Sequence, residues 1–272
     1  MTTSSANDSH CLVSDINALA SFLAHEEVRD LQSCPSVDCI AICVSSVFHQ
    51  AERLFHALVE RPDLTKVLVV VGGIGHSTQP LYDAVARHPK YHPLAEAVKD
   101  LAEARVLQLI LEKYYDIKKI TSQGCKILYE DKSTNCGQNA AFTRKVLEQA
   151  GFADPASIMI IQDTTMQLRT VATFEFVYQD LAHRPEFMSC PVFVPRVKLS
   201  GSQIEYDLPG LSPDELWEKQ RLYELLVGEI PRVRDDENGY GPRGKNFMTH
   251  VDVPRDIEMA AARISEAFGV RR

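Results

Sequence analysis

The chain has 272 residues, of which 45% are hydrophobic and 24% charged, with a formal net charge of −8. That balance excludes broad electrostatic binding of nucleic acid, which relies on Lys and Arg to neutralise phosphates. No apolar run approaches the roughly 18–20 residues of a membrane-spanning helix, and the length suits one large domain or a domain with an appendage.

Residues 1–35 read as an N-terminal tail and helix. The first ten are acidic and rich in Ser, Thr and Asn, without the basic and apolar regions of a secretory signal. Seven cysteines in no regular framework point to reduced thiols and a cytoplasmic chain. Residues 37–44 (VDCIAICV) form a β-branched, apolar run, followed by a helical stretch at 48–60. Within that run Cys39 and Cys43 are expected to act as small hydrophobes rather than metal ligands. The strand at 66–71 (KVLVVV) stops at Gly72-Gly73. A long helix is expected over 94–114, where Val98, Leu101, Ala104, Leu107 and Leu111 recur at helical spacing. Then come a strand at 126–129, a helix at 138–149 stopped by Gly151, a strand at 158–162, a helix at 166–180 and a strand near 190–194. Continuous apolar strands alternating with amphipathic helices imply a parallel sheet covered on both faces, a doubly wound α/β fold over 36–195. From 196 to 272 Pro, Gly and charge become frequent. Helices are expected there at 213–227 and 255–268, in a small, mainly helical C-terminal appendage.

In an open parallel sheet, ligands bind outside the carboxyl ends of the strands. Four polar stretches fall there: Ser45-Ser46, and residues 72–77, 130–139 and 163–169. In VVVGGIGHST the glycines 72, 73 and 75 allow tight turns and close approach of a ligand, and His76 and Ser77 stand at a helix start. The spacing matches neither the dinucleotide fingerprint nor a P-loop. In EDKSTNCGQN, Asn135 is a candidate cap with Gln138 three residues on. Ser133, Thr134, Asn139 and a strand-end carboxylate, Glu130 or Asp131, remain for a ligand. Glu130 suits ribose hydroxyls, an amine or a general base. In IIQDTTMQLRTVATF, Asp163 ends a strand, Thr164 or Thr165 caps the next helix, and Arg169 lies one turn inside. There the helix dipole opposes its charge, so Arg169 is expected to pair with a carboxylate such as Glu130 or to await an anion. A solvated Arg is the plain alternative. Glu130 and Arg169 are the candidates for catalysis. Farther on, RVRDDENGYGPRGKNF describes a shaped loop in which Tyr240 and Arg243 are candidates to stack on or clamp a planar ligand. No Gly-x-Ser-x-Gly, HExxH or paired CxxC is present, and no metal is expected. Cys136 stands at a helix start without an evident base.

These stretches carry a resemblance. GGIGHST (72–78), EDKSTNCGQNAAF (130–142), IIQDTTMQLRTVATF (160–174), GEIPRVRDD (228–236), GYGPRGKNF and HVDVP resemble the YdcF-like branch of the SanA/ElyC/YdcF family, a domain of unknown function. The resemblance implies a Rossmann-like α/β domain with affinity for S-adenosylmethionine. It implies a polar cluster at Gly72, Gly73, Glu103, Glu130, Ser133, Asn135, Asn139 and Arg169. Position 136 is Cys where the wider family often has Thr, which removes a hydroxyl contact. The expectation is a small-molecule binder that takes S-adenosylmethionine, with methyl transfer as the candidate reaction. A hydrolase or transferase of phosphorylated molecules, using Arg169 and Arg243 to hold the anion, and a non-catalytic sensor are the alternatives.

Overall fold

Side chains of a strand alternate between the two faces of its sheet, and in this chain both sets are apolar along the central strands. The computed structural model describes residues 3–270. Its elements in chain order are α1 (Thr3–Ala24), β1 (Val37–Cys43), α2 (His49–Glu60), β2 (Thr65–Val71), α3 (Thr78–Arg87), α4 (Glu103–Tyr114), α5 (Ile117–Ile120), β3 (Lys126–Glu130), α6 (Cys136–Gln149), β4 (Ser157–Ile161), α7 (Gln167–Val177), β5 (Glu186–Ser189), β6 (Val197–Ser200), β7 (Gln203–Tyr206), α8 (Lys219–Val233) and α9 (Arg255–Phe268).

Five parallel strands lie in the order β3-β2-β1-β4-β5. The order reverses between β1 and β4, which makes a doubly wound, Rossmann-like sheet with its switch point there. Ile40, Ile42, Leu68, Val70, Met159 and Ile161 face one side, packed with Leu54 and Phe55 of α2 and Leu107 and Leu111 of α4. Cys39, Ala41, Cys43, Val67, Val69, Val71, Ile158 and Ile160 face the other, against Ala140 and Leu147 of α6 and Val171 and Phe174 of α7. Cys39 and Cys43 are thus buried sheet residues with free thiols.

The appendage contains more than helices, because β6 and β7 pair antiparallel in a short hairpin. It also recruits the far end of the chain. Ile16, Leu19, Ala20 and Leu23 of α1 recur at helical spacing and are buried with Leu222 and Leu226 of α8 and Ile257, Ala260 and Ile264 of α9. Arg263 of α9 grips Asp15 of α1 through two hydrogen bonds, 2.7 and 2.6 Å. Leu168 and Ala172 of α7 join that cluster. Helix α7 therefore lies between the sheet and the appendage, and residues 167–174 are buried all round.

Three expected elements differ. The helix expected over 94–114 is continuous only from Glu103. Asp100 takes φ +64°, and the first amides of α4 bond to the carbonyls of Gly73 (3.0 Å) and Gly72 (2.7 Å). The strand expected near 190–194 lies at 186–189. It pairs with β4 and ends before Pro191, which has no N–H to donate. The helix expected at 213–227 runs instead from 219 through Gly228 and Pro231 to 233, because Glu229, Ile230 and Val233 are buried and packing overrides those breakers.

The role of α1 can be checked with Leu19→Ala. Its side chain is fully buried, so denaturant unfolding is expected to show a loss of about 2–5 kcal/mol. A loss below half a kilocalorie per mole, roughly the surface-substitution level, would mean that α1 does not pack as described.

Candidate functional site

At the carboxyl edge of the sheet the loops after β2 and β3 interlock. Gly72 N donates to the Glu130 carbonyl (2.9 Å) and Gly73 N to Ser133 Oγ (3.2 Å). A Cβ on Gly73 would lie 2.0 Å from the Ser133 carbonyl oxygen, and one on Gly75 would lie 3.1 Å from that of Thr134. Glycine is needed here so that one loop can approach the other, and the space expected for a ligand is filled by backbone. Residues 74–77, which include His76 and Ser77, face solvent. Ser77 makes no capping bond to α3; Thr78 Oγ1 instead accepts from Gly75 N at 2.8 Å.

Glu130 is only 2% exposed, and both its oxygens are occupied by its own loop. Oε1 accepts from the amides of Lys132 (2.7 Å) and Ser133 (2.9 Å), and Oε2 from Ser133 Oγ (2.5 Å). Asp131 turns outward to Arg105, at 2.7 Å. Asn135 caps α6, its Oδ1 accepting from Gln138 N at 3.0 Å. Gln138 reaches back one residue beyond the cap, to the amide (2.8 Å) and hydroxyl (3.0 Å) of Thr134. Most of the surplus polarity of this segment is therefore spent on holding the turn. Asn139, one turn into α6, reaches the Cys43 thiol at the end of β1.

Glu103 differs. It opens α4, lies against Gly72, and accepts from Thr78 Oγ1 on Oε1 at 2.9 Å. Among the described residues no donor bonds to its Oε2. Burial raises its pKa to about 7, against the lowering effect of the Thr78 bond. A half-buried carboxyl at the strand ends that titrates near neutrality can bind a cation, accept from hydroxyls or carry a proton.

At the switch point, Asp163 is buried and accepts from Ser45 Oγ (2.9 Å), Thr165 N (3.0 Å), Thr165 Oγ1 (2.7 Å) and Trp217 Nε1 (3.2 Å). Desolvation raises its pKa, and these donors oppose the rise. Helix α7 starts only at Gln167, so Thr165 serves Asp163 rather than the helix. Nearby, Gln50 donates to the Gln162 carbonyl (3.1 Å) but its Oε1 is buried without a partner, as is Thr164 Oγ1. Such atoms are normally met by an ordered water or a ligand.

Arg169 does not reach Glu130. It is 8% exposed and bonds to Glu229 of α8, Nε to Oε2 at 2.5 Å and a terminal nitrogen to Oε1 at 3.2 Å. Burial opposes its charge, but Cys136 and Glu229 outweigh that and hold its pKa above the ordinary value. A helix partner from the appendage, rather than a ligand, explains an Arg set against the dipole. Tyr240 lies over the guanidinium, 5.9 Å from the ring centroid. The loop it sits on docks through Thr249 N to the α7 carbonyl of Ala172, at 3.0 Å. Arg243 turns back to Asp235 of its own loop, at 3.2 Å. Cavities of about 430 and 280 Å³ border this loop, lined in common by Asp235, Asp236 and Arg243, and no strand-end residue lines either. Gln50 and Trp217 carried no motif signal, and Glu229, within GEIPRVRDD, was given no role; only contact across the fold gives them a part.

No protein-family model matches the chain. Among the described residues, no helix is long and apolar enough to cross a membrane.

Two expectations follow. Glu229→Ala should cost about 3–5 kcal/mol by leaving Arg169 buried and uncompensated, and Arg169→Met with Glu229→Leu should recover most of it; a fully additive double variant would show that the two charges are not coupled. Gly73→Ala should lower stability by about 1–3 kcal/mol through overpacking against Ser133, whereas an unchanged midpoint would mean that the loops are not interlocked.

Proposed function

We propose that the chain binds a nucleoside-type small molecule at the carboxyl edge of its sheet, with S-adenosylmethionine as the ligand and methyl transfer to an acceptor as the reaction class it serves. Membership of the YdcF-like branch and a cytoplasmic setting belong to the same reading. All seven cysteines are free thiols, which supports a reducing compartment.

The observation that carries the reading is Glu103. Its Oε2 is free of protein donors while Thr78 fixes its other oxygen, so the carboxyl is held in place with one side available. S-adenosylmethionine brings a sulfonium and an ammonium, and a carboxylate beside either gains Coulomb energy in a partly desolvated crevice. Glu130, fully occupied by its own loop, acts as a positioning residue that holds Ser133 against Gly73. The same geometry weighs against a phosphorylated ligand. Arg169 and Arg243, the cations that reading needs, are paired with Glu229 and Asp235, and a carboxylate in the crevice repels phosphate.

The sign of the pH dependence follows from Glu103. Below about 7 the carboxyl holds its proton, and a cationic ligand must displace it. Affinity is therefore expected to rise with pH through about 7 and level off above, with proton release on binding below that point. Calorimetric titration of S-adenosylmethionine in buffers of different ionisation enthalpy measures both. S-adenosylhomocysteine, which lacks the sulfonium, should bind more weakly above pH 7, and Glu103→Gln should flatten the pH profile. No heat from folded chain at millimolar ligand would overturn the reading.

A further inference from the structure

We propose that Glu52, His88 and Glu215 bind a divalent transition-metal ion of the zinc type, at a site separate from the Glu103 crevice. Glu52 lies in the first turn of α2, His88 caps the carboxyl end of α3, and Glu215 belongs to a single turn, residues 213–215, ahead of α8. One ligand atom from each lies within 4.8 Å of the other two. His88 Nε2 is 3.9 Å from Glu52 Oε1. Ligands on one zinc ion, each about 2.0–2.2 Å from it, sit roughly 3–3.6 Å apart. Rotamer adjustments of less than an ångström or so close the set.

The two carboxylates are each held by a further partner, as metal ligands are, and the His88 ring is held by packing. Tyr91 donates its hydroxyl to Glu52 Oε1 at 2.6 Å and meets the Tyr115 hydroxyl at 3.2 Å. The His88 ring stacks on Tyr91, 4.2 Å between centroids and 13° from parallel, and stands edge-on to Phe48. Glu215 Oε2 accepts from Ser212 N at 2.9 Å, which leaves its other oxygen free to turn inward.

Charge points the same way. Two carboxylates converge on one imidazole, and among the described residues neither is ion-paired with a Lys or Arg. Such a pair repels itself unless a cation is shared. One imidazole and two carboxylates suit zinc or manganese better than soft, thiol-seeking ions, and three protein ligands leave a position for water. His88 Nδ1 accepts from Lys90 N at 3.2 Å, which puts the proton of the neutral ring on Nε2. Metal binding at Nε2 moves that proton to Nδ1 and turns the exposed Lys90 amide to solvent. No sequence motif signals this site because its ligands come from three separate segments. A bound ion would clamp the turn before α8 to the helices over the sheet.

The test is calorimetric titration of the full, chelator-stripped chain with zinc, without nucleoside, alongside cobalt as a visible probe. One ion per chain is expected, with affinity falling at least tenfold in Glu52→Gln, His88→Gln and Glu215→Gln. Tyr91→Phe keeps the ring and removes only the hydroxyl contacts to Glu52 and Tyr115; it is expected to fold and to weaken zinc several-fold, so the proposal stays testable should a ligand variant unfold. Cobalt should give visible bands without intense thiolate charge transfer. The proposal fails if folded chain binds no ion, if affinity is unchanged in Tyr91→Phe and every folded ligand variant, or if cobalt reports cysteine ligation.

Discussion

A single buried carboxylate at the switch point joins the parts of this molecule. Asp163 lies in the loop just after β4, where the strand order reverses, and its donors come from the β1 loop, its own loop and Trp217 of the appendage. A buried carboxylate is costly in a low-dielectric interior unless its lone pairs are satisfied. Four donors offset that cost, and only this packing brings them together. The geometry of the carboxyl edge, with the appendage over it, follows from that requirement.

The strand ends show how much polarity a protein can use on itself. Glu130, Ser133, Asn135 and Gln138 close their own turn, and Arg169 is neutralised by Glu229. Among the described residues, the unpartnered atoms near these strand ends include one oxygen of Glu103, the Gln50 amide oxygen and the Thr164 hydroxyl. The density of polar residues at such an edge therefore overstates what remains unmatched there. Glycine has a similar double meaning here. Gly73 looks like an opening for a ligand in sequence, yet the neighbouring loop fills the space where its side chain would be.

The doubly wound sheet was legible because β1, β2 and β4 are apolar on both faces, a pattern that no half-exposed strand produces. Helix α9 was legible with its bounds. Helix α8 was legible as a helix but not in its bounds, since Gly228 and Pro231 argue locally for a stop that burial overrides. The hairpin of β6 and β7 is short and half-exposed, so its pattern is weak. For the site, topology alone directed attention to the carboxyl edge of the sheet. The partners could not be read in that way: Glu229 lies 60 residues from Arg169 and Trp217 lies 54 from Asp163. Such pairings come from tertiary packing, which leaves no local trace.

The pairing of α1 with α9 sets the order in which the chain can fold. Asp15 and Arg263 are separated by 248 positions, so the packing of α1 is completed only after α9 has been synthesised, although α7 and α8 can meet it earlier. The sheet can assemble during synthesis, but the appendage can close only afterwards. Until then the nascent chain carries a hydrophobic helix that is only partly covered, the kind of surface that chaperones shield.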